Sequence, residues 1–216
     1  MSNFDLLIRN GTVATAADTF QADVAIKDGR VVALGHDLGT AEQEIDAAGK
    51  LLLPGGIEGH CHIEQISSSR VMTADDFYSG TVSAVFGGTT TVIPFAAQQK
   101  GDSLRQTVED YHACAGPKAV IDYGFHLIIS DPSDQVIGQE LPALIKDGYT
   151  SFKVYMTYDD LRLDDYQMLE VLSAARRDGA MVMVHAENHD MIRWLSEKLL
   201  DAGHWQPQDH ASSHSR

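Results

Sequence analysis

Short apolar strands and helical segments alternate along the chain from Pro54 onward, and this alternation constrains the fold more than any other feature. Parallel strands need crossover helices, so the order predicts an α/β protein with a parallel sheet. Five strand–helix units can be distinguished. The predicted strands are 56–62, 89–95, 121–129, 151–156 and 181–186, and the predicted helices are 75–86, 103–115, 135–147, 164–177 and 190–201.

Two architectures accommodate five such units. In an open doubly wound sheet, the first strand–helix turn usually carries a Gly-rich phosphate loop. Here that turn carries His60 and His62, and neither G-x-G-x-x-G nor a Walker sequence occurs. We therefore predict part of a (β/α)8, TIM-like barrel. A complete barrel needs about 250 residues, and residues 211–216 have the composition of a polar loop with no closing element. The chain is thus expected to be the N-terminal portion of a longer protein.

Residues 1–53 follow a different pattern, of short strands joined by tight turns. Asn10-Gly11 and Asp28-Gly29 lie between apolar runs and predict two β-hairpins. So small a β unit is too thin to form a core alone. We predict a small β-sandwich segment over 1–53 and an incomplete barrel over 54–216.

Composition argues against several classes of protein. The 16 Lys and Arg against 31 Asp and Glu give a net charge of −15, which disfavours nucleic-acid and anionic-membrane partners. No apolar run reaches about 18 residues, so no membrane span is expected. The N-terminus lacks the pattern of a signal peptide, and Cys61 and Cys114 are typical of reduced thiols. These features predict a cytoplasmic protein.

Three histidines stand where barrel active sites are built, at the C-terminal ends of predicted strands. His60 and His62, the dyad, are two residues apart, so their side chains point to the same face of a strand and can chelate one metal ion. Two loop histidines beside a Gly turn would give the same pattern. His185 ends the fifth strand just before polar residues, and a hydrogen-bonded core histidine is its alternative interpretation.

Lys153 lies inside the fourth predicted strand, between Phe152 and Val154. A buried ammonium loses hydration, which is costly. One interpretation is a buried stem whose charged head reaches solvent. The other is a lysine whose pKa is lowered by desolvation and nearby cations. Its neutral amine could then take up carbon dioxide and become a carbamate able to bridge two metal ions.

The remaining candidates are weaker. Tyr158 follows the fourth strand, where its phenol could donate to a developing oxyanion or simply pack at the rim. His126 lies within the third predicted strand and is assigned a structural role. Five further histidines stand in polar or helical contexts and are expected to be solvated: His112, His189, His204, His210 and His214.

Together these residues resemble the D-hydantoinase/dihydropyrimidinase family of cyclic amidohydrolases. The resemblance covers the whole chain and is specific for the family, though less specific for substrate. The matching segments are 10–12, 54–57, 60–62, 76–77, 79–81, 86–91, 118–126, 151–154 and 183–188.

The resemblance implies a metal-dependent barrel with two divalent ions, usually zinc. His60 and His62 would bind one ion, His185 the other, and carboxylated Lys153 would bridge both. A metal-bridging hydroxide would attack the cyclic amide bond of a hydantoin or dihydropyrimidine, with Tyr158 binding the oxyanion. The product would be an N-carbamoyl amino acid. Family members are commonly homotetramers.

The sequence departs from the family at Glu58, where Asp is usual, and in the loop 64–70, which in the family shapes the pocket for the exocyclic group of the ring. The family's further metal-binding histidine, from the sixth strand, would lie beyond Arg216. So would its proton-shuttling aspartate, from the eighth strand, and the C-terminal strands that, as the resemblance implies, pair with the β-sandwich segment 1–53. We therefore expect the 216-residue chain by itself to be inactive.

Three other interpretations remain open. The chain could be an inactive fragment, or a non-catalytic relative such as the collapsin response mediator proteins, which keep the fold and lose metal ligands. Retention of His60, His62, Lys153 and His185 speaks against the latter. Among enzymes, dihydroorotase and allantoinase are alternatives, but the match around Lys153 and 122–124 favours hydantoinase/dihydropyrimidinase.

Overall fold

The computed structural model describes residues 3–66 and 71–214. The chain forms two compact units, residues 1–56 and 57–216. No helix in the described ranges is both long enough and apolar enough to cross a membrane.

The first unit contains one five-stranded sheet. Its order is β3-β2-β1-β4, with β5 also pairing with β1. The first three strands form an antiparallel meander, whereas β4 and β5 run parallel to β1. The strands are β1 Phe4–Ala14, β2 Thr19–Lys27, β3 Arg30–Gly35, β4 Ala41–Asp46 and β5 Leu51–Leu52.

Only one of the two predicted hairpins is present. Asp28 and Gly29, both with positive φ, form the two-residue turn between β2 and β3. The hairpin predicted at Asn10-Gly11 is wrong, because β1 continues through it. Asn10, with φ 60°, lies in a bulge where the β1–β2 register shifts, and its N–H donates to Asp23 Oδ1 at 2.9 Å. A left-handed Asn suits a bulge as well as a turn.

The second unit is an α/β layer built on a parallel sheet of order β11-β10-β9-β7-β6, with β8 pairing with β7. Helices follow the strands, as expected for crossovers. The strands are β6 Gly56–Cys61, β7 Thr89–Ala97, β8 Asp122–Tyr123, β9 His126–Ile128, β10 Ser151–Tyr155 and β11 Met181–His185. The helices are α1 Phe77–Phe86, α2 Leu104–Ala115, α3 Leu141–Lys146, α4 Asp165–Asp178, α5 His189–Asp201 and α6 His210–Ser213.

Local sequence sets the limits of the main helices. Four helices are preceded by a residue whose side-chain oxygen accepts a hydrogen bond from the backbone N–H three residues later. These residues are Asp76 for α1, Ser103 for α2, Asp164 for α4 and Asn188 for α5. Each bond satisfies a backbone donor that the first helical turn leaves unpaired. Gly179, with φ 85°, ends α4 in the left-handed conformation typical of a helix C-terminus.

The two faces of the parallel sheet have different roles. Alternate residues such as Leu127, Phe152 and Val154 are buried against the helices in the main core. The opposite face, here called the inner face, carries a smaller cluster of Phe95, Ala97, Ile128 and Tyr155, with Leu161 and Met183 packed against it. The predicted site residues belong to the inner face.

Four details differ from the predicted elements. The third strand is split into β8 and β9 by Gly124 and Phe125, and the following helix begins with a π-helical segment, Val136–Glu140, before α3. In the tail 211–216, predicted as a loop, residues 211–213 belong to the single-turn α6, which follows a 3₁₀ turn, Pro207–Asp209. In the predicted loop 64–70, residues 67–70 lie outside the described ranges, while Ile66 forms a bridge with Met72.

Candidate metal centre

The dyad occupies the C-terminal end of β6, where His60 and His62 both contact the ring of Phe95. Their ring centroids lie 4.8 and 5.0 Å from that of Phe95, and 6.0 Å from each other. Both histidines are exposed. The common contact with Phe95 follows from the two-residue repeat of the strand, which directs both imidazoles to the inner face.

Neighbouring polar groups orient the dyad. The side chain of Glu58 accepts a hydrogen bond from the backbone N–H of His60 at 2.8 Å. The carbonyl Oε1 of Gln65 accepts from His62 Nδ1 at 2.5 Å. Because an amide oxygen can only accept, Nδ1 of His62 carries the hydrogen and Nε2 keeps its lone pair for a ligand.

His126 has a structural role beside the dyad. Its Nε2 donates to the carbonyl of Gly59 at 3.0 Å, and its Nδ1 lies 2.6 Å from the hydroxyl of Ser151, from which it accepts. Burial lowers the pKa of His126, the bond to Gly59 opposes this, and the neighbouring His60 adds to the lowering. Both ring nitrogens of His126 thus connect its own strand, β9, to β6 and β10. The contact on β6 is at Gly59, one residue before His60.

Lys153 points to the inner face from the middle of β10. Only 8% of its surface is exposed, and its Nζ lies 5.3 Å from the ring centroid of Tyr155. No carboxylate in the described part of the chain pairs with it, and burial lowers its pKa. Loss of hydration without a compensating counter-ion disfavours the ammonium and favours the neutral amine.

His185 and Tyr158 lie together beside the same tyrosine. The His185 ring is 5.6 Å from that of Tyr155 and 5.0 Å from that of Tyr158. Its Nε2 donates to Glu187 Oε2 at 2.5 Å, which leaves Nδ1 as the free lone pair. Tyr158 as a whole residue is 43% exposed.

The inner face thus holds two groups of candidate residues. The dyad with Phe95 forms one, and Lys153, Tyr155, Tyr158 and His185 form the other. Phe95 and Tyr155 belong to the same buried cluster, which joins the two groups. However, in residues 3–66 and 71–214 no three His, Cys, Asp or Glu side chains approach closely enough to hold a metal ion.

The available donors nevertheless fit ions of the zinc type. Imidazole nitrogens are common zinc ligands, and ligating histidines usually donate their other ring N–H to a carboxylate, carbonyl or water. His62 and His185 each have that arrangement, through Gln65 and Glu187. The amine of Lys153, once converted to a carbamate by carbon dioxide, could supply two oxygen ligands in addition.

Comparison with known proteins identifies the family of the chain. The sequence profile of the Amidohydrolase family matches residues 51–214, most of the chain. The chain belongs to the amidohydrolase family.

Two curated relatives are informative for comparison with this chain. It is 48% identical over 208 residues to a D-hydantoinase of Geobacillus stearothermophilus, covering 95% of this chain and 44% of that protein. It is 41% identical over 213 residues to a dihydropyrimidinase of Rattus norvegicus, covering 95% of this chain and 41% of that protein. A solved D-hydantoinase structure matches with a TM-score of 0.94 and 44% identity, over 98% of this chain and 46% of that one. The chain spans a little under half the length of the relatives it matches.

The structure contradicts the prediction for two histidines of the chain. His112, expected to be solvated, is half-buried, with Nε2 2.5 Å from the Tyr149 hydroxyl and Nδ1 3.3 Å from the Tyr123 hydroxyl. His189, also expected to be solvated, has a side chain only 11% exposed, packed under the loop that carries Tyr158. A weak signal existed for His189, which directly follows the N-cap Asn188 and therefore begins a helix.

Proposed function

We propose that the protein containing this chain hydrolyses the cyclic amide bond of hydantoins or dihydropyrimidines and releases N-carbamoyl amino acids. The observation that carries the proposal is the common position of His60, His62, Lys153 and His185. All four project to the inner face of one parallel sheet, the dyad and His185 at strand C-terminal ends. Barrel enzymes build their active sites at that end. The similarity to D-hydantoinases and a dihydropyrimidinase supports the choice of substrate class.

In this proposal the chain supplies part of a two-metal centre. His60 and His62 would hold one ion, His62 through its free Nε2, and His185 would hold the other through Nδ1. When bound, the ions would activate water and polarise the ring carbonyl. Gln65 and Glu187 would keep the imidazoles of His62 and His185 in the required orientation.

Lys153 would bridge the ions after reaction with carbon dioxide. The neutral amine attacks the carbon of CO₂, an N–C bond forms as one C=O π bond breaks, and the nitrogen loses one proton to water to give an anionic carbamate. A lowered pKa favours this reaction, because only the unprotonated amine is nucleophilic. The burial of Lys153 thus supports a chemical role.

Tyr158 would donate its phenol hydrogen to the carbonyl oxygen as negative charge develops there. Its ring lies against His185, beside the proposed centre, and is exposed enough to meet a substrate. Glu58 would act behind the dyad, since its carboxylate bonds the backbone of His60. The identity of the metal as zinc and a homotetrameric assembly belong to the same proposal and rest on the family resemblance. A cytoplasmic location belongs to it too and rests on the sequence, chiefly on the two cysteines.

The decisive experiment is a chimera in which residues 1–214 replace the matching segment of the Geobacillus stearothermophilus D-hydantoinase. We expect the chimera to open hydantoin in the presence of zinc, with the N-carbamoyl product identified by mass spectrometry. His60→Ala should lower kcat by at least about 100-fold, whereas His36→Ala, a change at an exposed turn, should not. A folded, zinc-loaded chimera that leaves the ring intact would refute the proposed function.

The carbamate has a test independent of turnover. Incubation of the zinc-loaded chimera with ¹³C-labelled bicarbonate should give one carbamate carbon resonance that disappears in Lys153→Arg. Lys146→Arg, which changes an exposed lysine, is the matched control. A signal that persists in Lys153→Arg would exclude Lys153 as the modified residue.

A further inference from the structure

Tyr158 is held in a backbone conformation that a tyrosine rarely adopts. Its φ is 71°, in the left-handed region. Its carbonyl oxygen accepts hydrogen bonds from the amides of Leu161 and Arg162, at 2.9 and 2.8 Å, which close a tight turn after β10. A non-Gly residue persists in this region only when the surrounding structure holds it there.

One imidazole contacts the residues on both sides of Tyr158. His189 Nδ1 lies 3.3 Å from the hydroxyl of Thr157, and His189 Nε2 lies 3.4 Å from Asp159 Oδ1. Thr157 and the His189 side chain are both largely buried, whereas the Asp159 side chain is 85% exposed. The contact at Thr157 is therefore enclosed, and the contact at Asp159 lies at the surface.

The chemistry of the two partners fixes the tautomer. A carboxylate can only accept, so an attractive contact with Asp159 requires the hydrogen on Nε2 of His189. Nδ1 then accepts the hydroxyl hydrogen of Thr157. Nε2 is buried and has no hydrogen-bond partner within the described ranges. Asp159 Oδ1 lies 3.4 Å from it, an ion-pair distance.

The rest of the turn is restrained from other directions. Lys100 Nζ donates to the backbone carbonyl of Asp159 at 3.0 Å. The Tyr158 ring rests on the rings of His185 and Tyr155, with centroids 5.0 and 5.8 Å away. His189 differs from these restraints because it is the first residue of α5, a helix of 13 residues that gives its ring a rigid base.

We propose that His189 is a positioning residue that sets the direction of the Tyr158 phenol by bracketing its backbone through Thr157 and Asp159. The proposal rests on the proposed function, in which that phenol binds the developing oxyanion. It extends that function by adding a residue that does not touch the substrate. His189 links the loop after β10, which carries Tyr158, to the segment after β11, which follows His185. The contacts of His189 therefore fix the position of the phenol relative to His185.

A simple packing role would make a different prediction. If His189 only filled space, a leucine of similar size would preserve the turn. If the two ring nitrogens matter, His189→Leu should release Tyr158. His189→Gln, whose amide group can donate to Asp159, should largely keep it in place. His36→Leu, at an exposed turn in the first unit, is the matched control.

The experiment places 3-fluorotyrosine at position 158 of the full 216-residue chain and records its ¹⁹F NMR spectrum. We expect one resonance in the parent chain, a shifted or doubled resonance in His189→Leu, and near-parent spectra in His189→Gln and His36→Leu. Hydrogen exchange gives a second readout. Protection of the Leu161 and Arg162 amides should fall roughly fivefold in His189→Leu, while protection of Val154 in β10 stays unchanged.

Asp159→Ala removes the exposed partner of His189 without creating a cavity in the core. It therefore tests the proposal even if His189→Leu unfolds. We expect it to shift the ¹⁹F resonance in the same direction as His189→Leu. An unchanged resonance in Asp159→Ala, together with an unchanged or globally unfolded His189→Leu, would overturn the proposal. A shifted resonance alongside a chimera that fails to open hydantoin would reject the proposed function and leave the positioning role standing.

Discussion

Cys61 stands between the two histidines of the dyad, but its side chain points the other way, toward the helix-side core. Burial, and secondarily the charge of Glu58, raise the pKa of its thiol to about 11. At pH 8 only about one molecule in a thousand then carries the reactive thiolate. The thiol of Cys61 is thus weakly nucleophilic, although Cys61 is adjacent in sequence to both proposed ligands.

This protection can be measured by alkylation. At pH 8 we expect iodoacetamide to modify the exposed Cys114 first and Cys61 at least about tenfold more slowly. Peptide mass spectrometry would give both rates from one sample, and Cys114→Ser and Cys61→Ser would assign them. Equal rates would show that Cys61 is neither buried nor suppressed in its ionisation.

At this same scale the sequence identifies some residues and misses others. The inward direction of His60, His62 and Lys153 follows from strand alternation, which is a local property. The burial of His112 and His189 is not local. Their partners Tyr149 and Thr157 lie 37 and 32 residues away, so the contacts exist only once the strands are assembled.

At the scale of elements, His126 is the residue that binds three strands of the parallel sheet. It contacts Gly59 on β6 and Ser151 on β10 while standing on β9 itself. Its pKa is lowered in the fold, chiefly by burial, so the unfolded chain takes up a proton first as the pH falls. The stability contributed by neutral His126 is therefore complete above about pH 6.5 and is lost as the pH falls through the lowered pKa.

Urea denaturation at pH 7.5 and 5.5 would test this linkage. We expect the midpoint of the parent chain to fall between the two pH values more than that of His126→Gln, which does not titrate. His126→Leu should cost about 1–3 kcal/mol at pH 7.5, because it leaves the carbonyl of Gly59 unpaired. His36→Gln is the control. Identical pH dependence in the parent and His126→Gln would contradict the assignment.

The order of the elements was predictable from periodicity, whereas their interruptions were not. A left-handed Asn10 can end a strand or form a bulge, and only the continued pairing of β1 with β2 distinguishes the two. Likewise, Gly124 and Phe125 divide an apolar run that reads as one strand. The division depends on β7, which pairs with β8 and β9 in turn.

At the scale of the whole molecule, the site is distributed over a wide sheet. The dyad and Lys153 are three strands apart, about 14 Å along the sheet, and no three-ligand group exists in the described residues. We therefore expect the 216-residue chain alone to show no zinc-dependent ring opening of hydantoin. An absorbance assay beside the Geobacillus stearothermophilus enzyme would check this. Turnover that His60→Ala abolishes would show instead that these residues suffice.

The order of the parallel sheet also has a consequence for how this unit can assemble. Its strands β6, β7, β9, β10 and β11 are neighbours in space in the same sequence in which they leave the ribosome. Each pairing closes a loop of only a few dozen residues, which keeps the entropic barrier small. At a synthesis rate of roughly 5–20 residues per second, each new strand would find its partner already in place within seconds. The sheet can thus grow one strand at a time from β6, without waiting for distant parts of the chain.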